Sequence, residues 1–128
     1  MSETKDRLVL IVEDAVELAQ ISQITLNRIG LKTFHAVNGQ RALEFLSENT
    51  PDLMLLDIGL PGMNGWEVLE RLKLEDHAGD FPIIVLTAAG DPVNRLIGKL
   101  QERVKRYIVK PYSIEELSTA VREVLEIG

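Results

Sequence analysis

The stretch LLDIGLPGMNG, residues 55–65, is the most informative part of this chain. An apolar run ends there in a single aspartate, Asp57, and glycine and proline residues follow it at once. A short continuous apolar run that is bounded by turn residues is typical of a strand buried on both faces. The sequence therefore predicts that a central strand over residues 52–57 holds one carboxylate at the start of a loop.

Four further segments of the chain are also predicted to be strands, and the second of them, residues 32–37, alternates between polar and apolar residues. Together, the predicted strands cover residues 7–12, 32–37, 52–57, 81–86 and 107–109. The segments between them carry apolar residues at helical spacing, and Gly30 is predicted to end the first helix. Ser113 and Glu116 form a capping-box pattern at the start of the last helix. The residues predicted to face inward from this last helix are Ile114, Leu117, Val121 and Val124. Those predicted to share one face of the helix before the fifth strand are Val93, Leu96, Ile97, Leu100 and Val104.

The order of these elements predicts the fold class. Five strands alternate with five helices, which implies parallel strands, right-handed crossovers and helices on both faces of the sheet. We therefore expect a doubly wound α/β fold, flavodoxin-like, with five strands and five helices. A length of 128 residues fits a single domain over residues 1–128.

Composition excludes several classes of protein. The hydrophobic fraction is 45% and the charged fraction 27%, as in ordinary globular proteins. No apolar run approaches the ~20 residues of a membrane span, and no signal-peptide pattern opens the chain. The chain has no cysteine, which excludes disulfides and fits a cytoplasmic protein. The net charge of −6 argues against direct binding to nucleic acid.

Polar residues stand at the predicted carboxyl ends of four strands. These residues are Glu13 and Asp14, Asp57, Thr87, and Lys110. The carboxyl ends of parallel strands share one edge of the sheet, where open α/β folds bind their ligands. Three carboxylates at one edge repel each other unless a cation lies among them, and oxygen ligands of this kind suit Mg²⁺.

The other two groups at this edge suggest an anion beside the metal. The ammonium of Lys110 and the hydroxyl of Thr87 can balance and hydrogen-bond a phosphoryl group. A carboxylate such as that of Asp57 can itself be the nucleophile and form an aspartyl phosphate. The residues alone thus predict a metal-assisted phosphoryl acceptor.

Four motifs in this order resemble the receiver domain of bacterial two-component response regulators, of the single-domain, chemotaxis-protein-like type. They are the acidic pair after the first strand, D-x-x-L-P-G-M-N-G after the third, Thr87-Ala88 after the fourth, and Lys110-Pro111 after the fifth. The similarity extends along the whole chain. Whether the chain stands alone or belongs to a longer regulator stays open.

The resemblance implies a role for each site residue. Asp57 would be the phosphoacceptor, and Mg²⁺ would be bound by Asp14 directly, by Glu13 mostly through water, by Asp57 and by the backbone carbonyl of Gly59. Lys110 would contact the phosphoryl oxygens. The protein would assist its own phosphorylation and dephosphorylation without being an enzyme for other substrates.

The resemblance also implies a switch and partners. Thr87 would move to bond the phosphoryl group and Tyr107 would turn inward, which reshapes the face formed by the fifth strand and the helices on either side of it. The phosphoryl donor would be a sensor histidine kinase or a histidine phosphotransfer protein, and the output an unknown downstream protein or a phosphorylation-dependent dimer. The Lys110–Pro111 peptide bond is expected to be cis.

Some residues depart from the family pattern. Arg103 and Val104 occupy places where receivers often carry Gly-Ala, and the surrounding segment is basic through Lys99, Lys105 and Arg106. A solvated helix end is the simpler interpretation of that charge, and a different partner on the signalling face is the alternative. The small residues Gly59 and Ala89 leave room for an attacking water, so we expect a phosphoryl lifetime of minutes.

Three other residues have structural interpretations. Trp66 is expected to pack in the core behind the Asn64-Gly65 turn, while His35 and His77 are expected to be surface or hydrogen-bonded histidines. Val16 and Ile24 lie off the inward stripe of the first helix, where an exposed apolar patch could dock a histidine kinase or phosphotransfer protein.

Three other functions compete with this interpretation. A haloacid-dehalogenase-like phosphatase would need a second aspartate two residues after its nucleophile, where this chain has Gly59. A flavodoxin-like cofactor binder would need a phosphate cradle where Glu13 and Asp14 would repel the phosphate. A receiver-fold interaction module that is not controlled by phosphorylation would not require Asp57 and Lys110.

Overall fold

The computed structural model of the protein describes residues 7–74, 80–88 and 102–128. Its elements, in chain order, are β1 (Leu8–Val12), α1 (Val16–Arg28), β2 (Lys32–Ala36), α2 (Gly39–Leu46), β3 (Leu53–Asp57), α3 (Gly65–Leu74), β4 (Ile83–Ala88), β5 (Val104–Lys110) and α4 (Ile114–Leu125). All five strands are parallel and form one sheet in the order β2-β1-β3-β4-β5. The predicted doubly wound α/β fold is confirmed, with four helices in the described residues.

Two apolar layers cover the two faces of the sheet. One layer joins β1, β3 and β4 to α2 and α3 and includes Leu10, Met54 and Val85. The other joins the same strands to α1 and α4 and includes Ile11, Leu55 and Ile84. All five residues of β3 are buried, as expected for a strand with helices on both sides. Trp66 is half-buried against the first layer, as predicted.

Local sequence signals account for several helix ends. The side chain of Asn38 accepts a hydrogen bond from the amide of Arg41 and so caps α2. Ser113 and Glu116 form the predicted capping box at the start of α4. After α1 the chain turns at Gly30, whose φ of 94° lies in the left-handed region that favours glycine.

Two predictions on this part of the chain were wrong. Val104 was placed on a helix but is the first residue of β5, because it pairs with Ile83 and the amide of Ile83 donates to the carbonyl of Arg103 at 2.7 Å. Ile114 was predicted to face inward but is 54% exposed. It lies in the first turn of α4, where its side chain lines a surface groove with Thr25 and Ile29 of the α1 region.

The predictions on the exposed residues of α1 and on the Lys110–Pro111 bond agree with the structure. Val16 and Ile24 are about half exposed, at 50% and 52%. The Lys110–Pro111 peptide bond is cis. Several predictions fall outside the described residues. They concern the helix between the fourth and fifth strands, with Val93, Leu96, Ile97 and Leu100, and the residues Ala89, His77 and Lys99. Within the described ranges, no helix is long and apolar enough to cross a membrane.

Candidate functional site

The site lies where the strand order reverses. β1 and β3 are neighbours at the centre of the sheet, while β2 lies beyond β1 and β4 beyond β3. The crossovers from β1 and β3 therefore leave on opposite faces, and a crevice opens at the carboxyl ends of these two strands. Glu13 directly follows β1, and Asp57 is the last residue of β3.

The three predicted acidic residues converge in this crevice. Carboxylate oxygens of Glu13, Asp14 and Asp57 all lie within 4.8 Å of one another. Glu13 and Asp57 are buried, at 1% and 5% exposure, whereas Asp14 is exposed. Buried carboxylates normally have a cation or strong hydrogen-bond donors beside them.

Lys110 provides that positive charge. Its Nζ donates to Asp57 Oδ2 at 2.7 Å and to Glu13 Oε1 at 3.0 Å. It is the last residue of β5, where it pairs with Ala88 of β4. One ammonium thus reaches from the far side of β4 to two carboxylates that follow β1 and β3.

The backbone supplies two further donors. The amide of Gly59 donates to Asp57 Oδ1 at 2.8 Å, so both oxygens of Asp57 are hydrogen-bonded. The amide of Ala15 donates to Glu13 Oε2 at 3.2 Å. These bonds fix the orientation of both buried carboxylates.

The electrostatics of the crevice are dominated by burial and by the two carboxylates. The pKa of Glu13 is raised to about 7, mainly by burial. The hydrogen bond and negative charge of Asp57 also raise it, while the hydrogen bonds from Lys110 and from the amide of Ala15 lower it. Burial alone would lower the pKa of Lys110, but its hydrogen bonds to Asp57 and Glu13 and their charges leave it raised. Lys110 therefore stays charged, and Glu13 exchanges its proton near neutral pH.

The loop after β3 is held in place by a close backbone approach. The amide of Gly65 donates to the carbonyl of Ile58 at 3.2 Å, which closes the loop that contains Gly59. A Cβ on Gly65 would lie 2.6 Å from the Cα of Ile58, so only glycine fits there. Gly62 has a φ of +73°, which also favours glycine.

Thr87 and Tyr107 lie close to this network without joining it. Thr87 is 4% exposed, follows the residue of β4 that pairs with Asp57, and donates from Oγ1 to the carbonyl of Ala88 at 3.3 Å. Tyr107 is half-buried and packs against the layer that α2 and α3 cover. The site thus joins Glu13, Asp57 and Lys110 through hydrogen bonds, with Asp14 and Gly59 beside them.

Sequence reasoning did not connect His35 and Tyr112 with the site. His35 was expected to be a surface or hydrogen-bonded histidine, and its Nε2 lies 2.7 Å from the carbonyl oxygen of Glu13. The signal that could have found it is its place near the carboxyl end of β2, beside β1. Tyr112 follows the cis proline and packs against the layer next to α1 and α4, and its burial raises the pKa of its hydroxyl.

The donor set fits a divalent cation. Three carboxylates and a loop carbonyl are hard oxygen ligands, and the 4.8 Å spacing of the carboxylate oxygens allows them to share one small ion. Because Asp14 is exposed, water molecules can complete the coordination, as Mg²⁺ prefers. An acidic crevice with a bonded lysine can therefore bind Mg²⁺ and an anionic group together.

Comparison with known proteins gives the same family along nearly the whole chain. The sequence profile described as the response regulator receiver domain matches residues 9–122. The chain is 37% identical to the phosphate regulon transcriptional regulatory protein PhoB of Pseudomonas aeruginosa, over 93% of this chain and 52% of that protein. It is 33% identical to sporulation initiation phosphotransferase F of Bacillus subtilis, over 93% of this chain and 94% of that protein.

Solved structures agree with these sequence relatives. A putative response regulator from Chloroflexus aurantiacus superposes with a TM-score of 0.84 at 30% identity, over 95% of this chain and 99% of that one. The chemotaxis response regulator CheY4 of Vibrio cholerae superposes with a TM-score of 0.83 at 26% identity, over 92% and 98%.

The chain spans about half the length of several curated relatives that it matches. One is the probable transcriptional regulator ycf27 of Guillardia theta, of which it covers 46% at 37% identity. Receiver domains are phosphoacceptors that bind Mg²⁺ in an acidic pocket and interact with histidine kinases or phosphotransfer proteins. From the profile match, the relatives and the fold, the chain belongs to the response regulator receiver domain family.

Proposed function

We propose that residues 1–128 form a single receiver domain that accepts a phosphoryl group on Asp57 in a cytoplasmic histidine-to-aspartate phosphorelay. One observation carries the proposal: the ammonium of Lys110 bonds the buried carboxylates of Asp57 and Glu13, with Asp14 within 4.8 Å. A phosphatase of the haloacid-dehalogenase type is not favoured, because Gly59 stands where its second aspartate is needed.

The chemical step is a phosphoryl transfer between two side chains. An oxygen of Asp57 attacks the phosphorus of a phosphohistidine, a new P–O bond forms, and the P–N bond breaks with its electron pair left on the histidine nitrogen. The product is an acyl phosphate on Asp57. Lys110, which bonds Asp57 Oδ2 at 2.7 Å, is suited to contact the transferred oxygens.

The metal ligands in this proposal are Asp14, Asp57 and the carbonyl of Gly59, with Glu13 acting mostly through water. Bound Mg²⁺ would neutralise charge on the phosphoryl oxygens. Support comes from the spacing of the carboxylate oxygens and from the hydrogen bond that already ties Gly59 to Asp57.

The signalling step is assigned to Thr87 and Tyr107. The hydroxyl of Thr87 lies at the end of β4 and is bonded only to the neighbouring carbonyl among the described residues, at 3.3 Å, so it is available for a stronger acceptor. We propose that it turns to the phosphoryl group and that Tyr107 moves inward behind it. The face around β5 then changes shape and binds a downstream protein or a second copy.

Intact mass measured after treatment with a small phosphodonor and Mg²⁺ tests the proposal. We expect a gain of one phosphoryl group in the wild type and none in Asp57→Asn. Asp80→Asn is the matched control, because its carboxylate is 98% exposed and far from this edge of the sheet. Uptake by Asp57→Asn would contradict the assignment of the phosphoacceptor to Asp57. No uptake by the wild type would contradict phosphorylation itself and favour the interaction-module alternative.

An apolar patch supports the proposed partner. Val16, Ile21 and Ile24 of α1 are 48–52% exposed, and Ile114 of α4 is 54% exposed. Ile114 also lines a surface groove with Thr25 and Ile29 of the α1 region. We propose that the helices of a histidine kinase or phosphotransfer protein dock here.

The docking proposal is separable from the chemistry. Ile24→Asp should slow phosphorylation by a phosphorylated histidine phosphotransfer protein and leave uptake from a small phosphodonor unchanged. Leu74→Asp is the control, because Leu74 is 79% exposed at the end of α3, away from the patch. Equal transfer rates in both variants would exclude this docking face.

A further inference from the structure

Glu13 is held in place by bonds to its backbone as well as to its carboxylate. Its amide donates to the carbonyl of Ala36 at 3.1 Å, and its own carbonyl lies 2.7 Å from Nε2 of His35. A carbonyl oxygen can only accept, so Nε2 carries the hydrogen and His35 donates. His35 and Ala36, two consecutive residues of β2, thus hydrogen-bond the backbone carbonyl and the backbone amide of Glu13.

His35 is otherwise remote from the chemistry. It lies on β2, the edge strand next to β1, and pairs in register with Ile11, two residues before Glu13. Its side chain is partly buried and reaches past the end of β1 to the turn that leads into α1. Hydrogen bonds of this length are at the short, well-formed end of the range.

The bond acts on the peptide group that joins Glu13 to Asp14. The carbonyl of Glu13 and the amide nitrogen of Asp14 belong to one planar unit, so fixing the oxygen also restricts the position of the Asp14 Cα. This matters because the side chain of Asp14 is exposed and accepts no hydrogen bond from the residues that the structure describes. Asp14 is therefore positioned mainly through its backbone.

We propose that His35 is a positioning residue that holds Asp14 in place for magnesium binding. The inference rests on the proposed role of Asp14 as a direct ligand. Mg²⁺ demands nearly ideal octahedral geometry, so a small rotation of this peptide unit moves a ligand oxygen out of reach. Residues that hold metal ligands typically change metal affinity about 10- to 100-fold when they are removed. Because His35 acts through the backbone, we expect the lower end of that range.

Two variants separate hydrogen bonding from bulk. His35→Gln keeps a side-chain N–H donor at similar reach, whereas His35→Met has the same length without a donor. Thr33→Val is the control on the same strand, two residues earlier, because Thr33 bonds Gln23 and Asn27 of α1 and does not touch the acidic turn. It reports the effect of loosening β2 alone.

Magnesium affinity, measured by calorimetry at about pH 8, is the main readout. We expect His35→Met to raise the Kd about 10-fold, with His35→Gln and Thr33→Val within about twofold of the wild type. In the metal-free proteins, the amide resonance of Asp14 should shift in His35→Met and return in His35→Gln. Folding of each variant is checked by urea unfolding with a chelator.

The outcomes distinguish this inference from the proposed function. Wild-type affinity in His35→Met, or equal weakening in Thr33→Val, would overturn the positioning role. If His35→Met does not fold, weakened magnesium binding by well-folded His35→Gln would overturn it as well. Asp14→Asn is measured in parallel: if it binds Mg²⁺ as tightly as the wild type, the ligand role of Asp14 fails, whatever the His35 variants show.

Discussion

β5 carries two charged contacts, one at its carboxyl end and one nearer its amino end, and the two differ in burial. At the carboxyl end, Lys110 bonds Glu13 and Asp57, whose side chains are 2% and 7% exposed. Nearer the amino end, Arg106 pairs with Glu123 of α4, and these side chains are 45% and 52% exposed. The first contact joins a partly buried lysine to two buried carboxylates, and the second lies in water.

Burial determines what each contact can do. In water, screening and side-chain entropy leave an ion pair a net contribution near zero. In the crevice, charges interact strongly, and removal of one partner leaves the others uncompensated. Only the buried contact can therefore change protonation, bind a cation and respond to a phosphoryl group.

The largest effect is expected when Lys110 is replaced. Lys110→Met leaves Glu13 and Asp57 side by side without a cation, so we expect the free energy of unfolding at about pH 8 to fall by about 3 kcal/mol without metal. Urea unfolding measures this change, and added Mg²⁺ should restore part of the loss. An unchanged stability would mean that the two ends of β5 do not differ as described.

A second prediction concerns pH. The pKa of Glu13 is about 7 in the folded chain against an ordinary value of 4.5, so between these values the folded protein binds more protons than the unfolded one. Stability without metal should therefore fall as pH rises from about 5 to 7, with a slope of up to about 1.4 kcal/mol per pH unit from this residue.

Glu13→Gln provides the control for the pH prediction. Urea unfolding at several pH values in the presence of a chelator should give a flatter profile for this variant than for the wild type. An equally steep profile in Glu13→Gln would assign the dependence to another group. Mg²⁺ should bind more weakly below pH 7, because the proton and the metal compete for the same crevice.

The smallest effect is expected at the exposed pair. A double-mutant cycle with Arg106→Met and Glu123→Met should give a coupling energy below about 0.5 kcal/mol that decreases with added salt. Chemical denaturation of the four proteins measures it. A coupling of several kcal/mol would remove the contrast between the two ends.

Much of this fold could be predicted because its signals are local. The apolar run of β3, the capping box at Ser113 and the polar residues at strand ends each depend on short stretches of sequence. Parallel pairing then brings the strand ends together. Glu13, Asp14, Asp57 and Lys110 were predicted to meet, and they do.

The features that were missed depend on contacts between distant residues. The start of β5 at Val104 is set by pairing with Ile83, which helix periodicity cannot reveal. Ile114 is 54% exposed and lines a groove with Thr25 and Ile29, residues far from it in the sequence. The bond from His35 to Glu13 joins residues 22 apart. The position of His35 near the end of a predicted strand places it at the right edge of the sheet, but the bond itself depends on the path of its side chain.

Gly65 has a consequence for how the loop after β3 functions. The hydrogen bond from its amide to the carbonyl of Ile58 closes this loop when the chain folds, together with the close backbone contact that only a glycine allows. The conformational entropy of the loop is then lost during folding rather than when a ligand arrives. A ligand that binds in the proposed site therefore meets a loop that is already ordered, and its binding costs less conformational entropy.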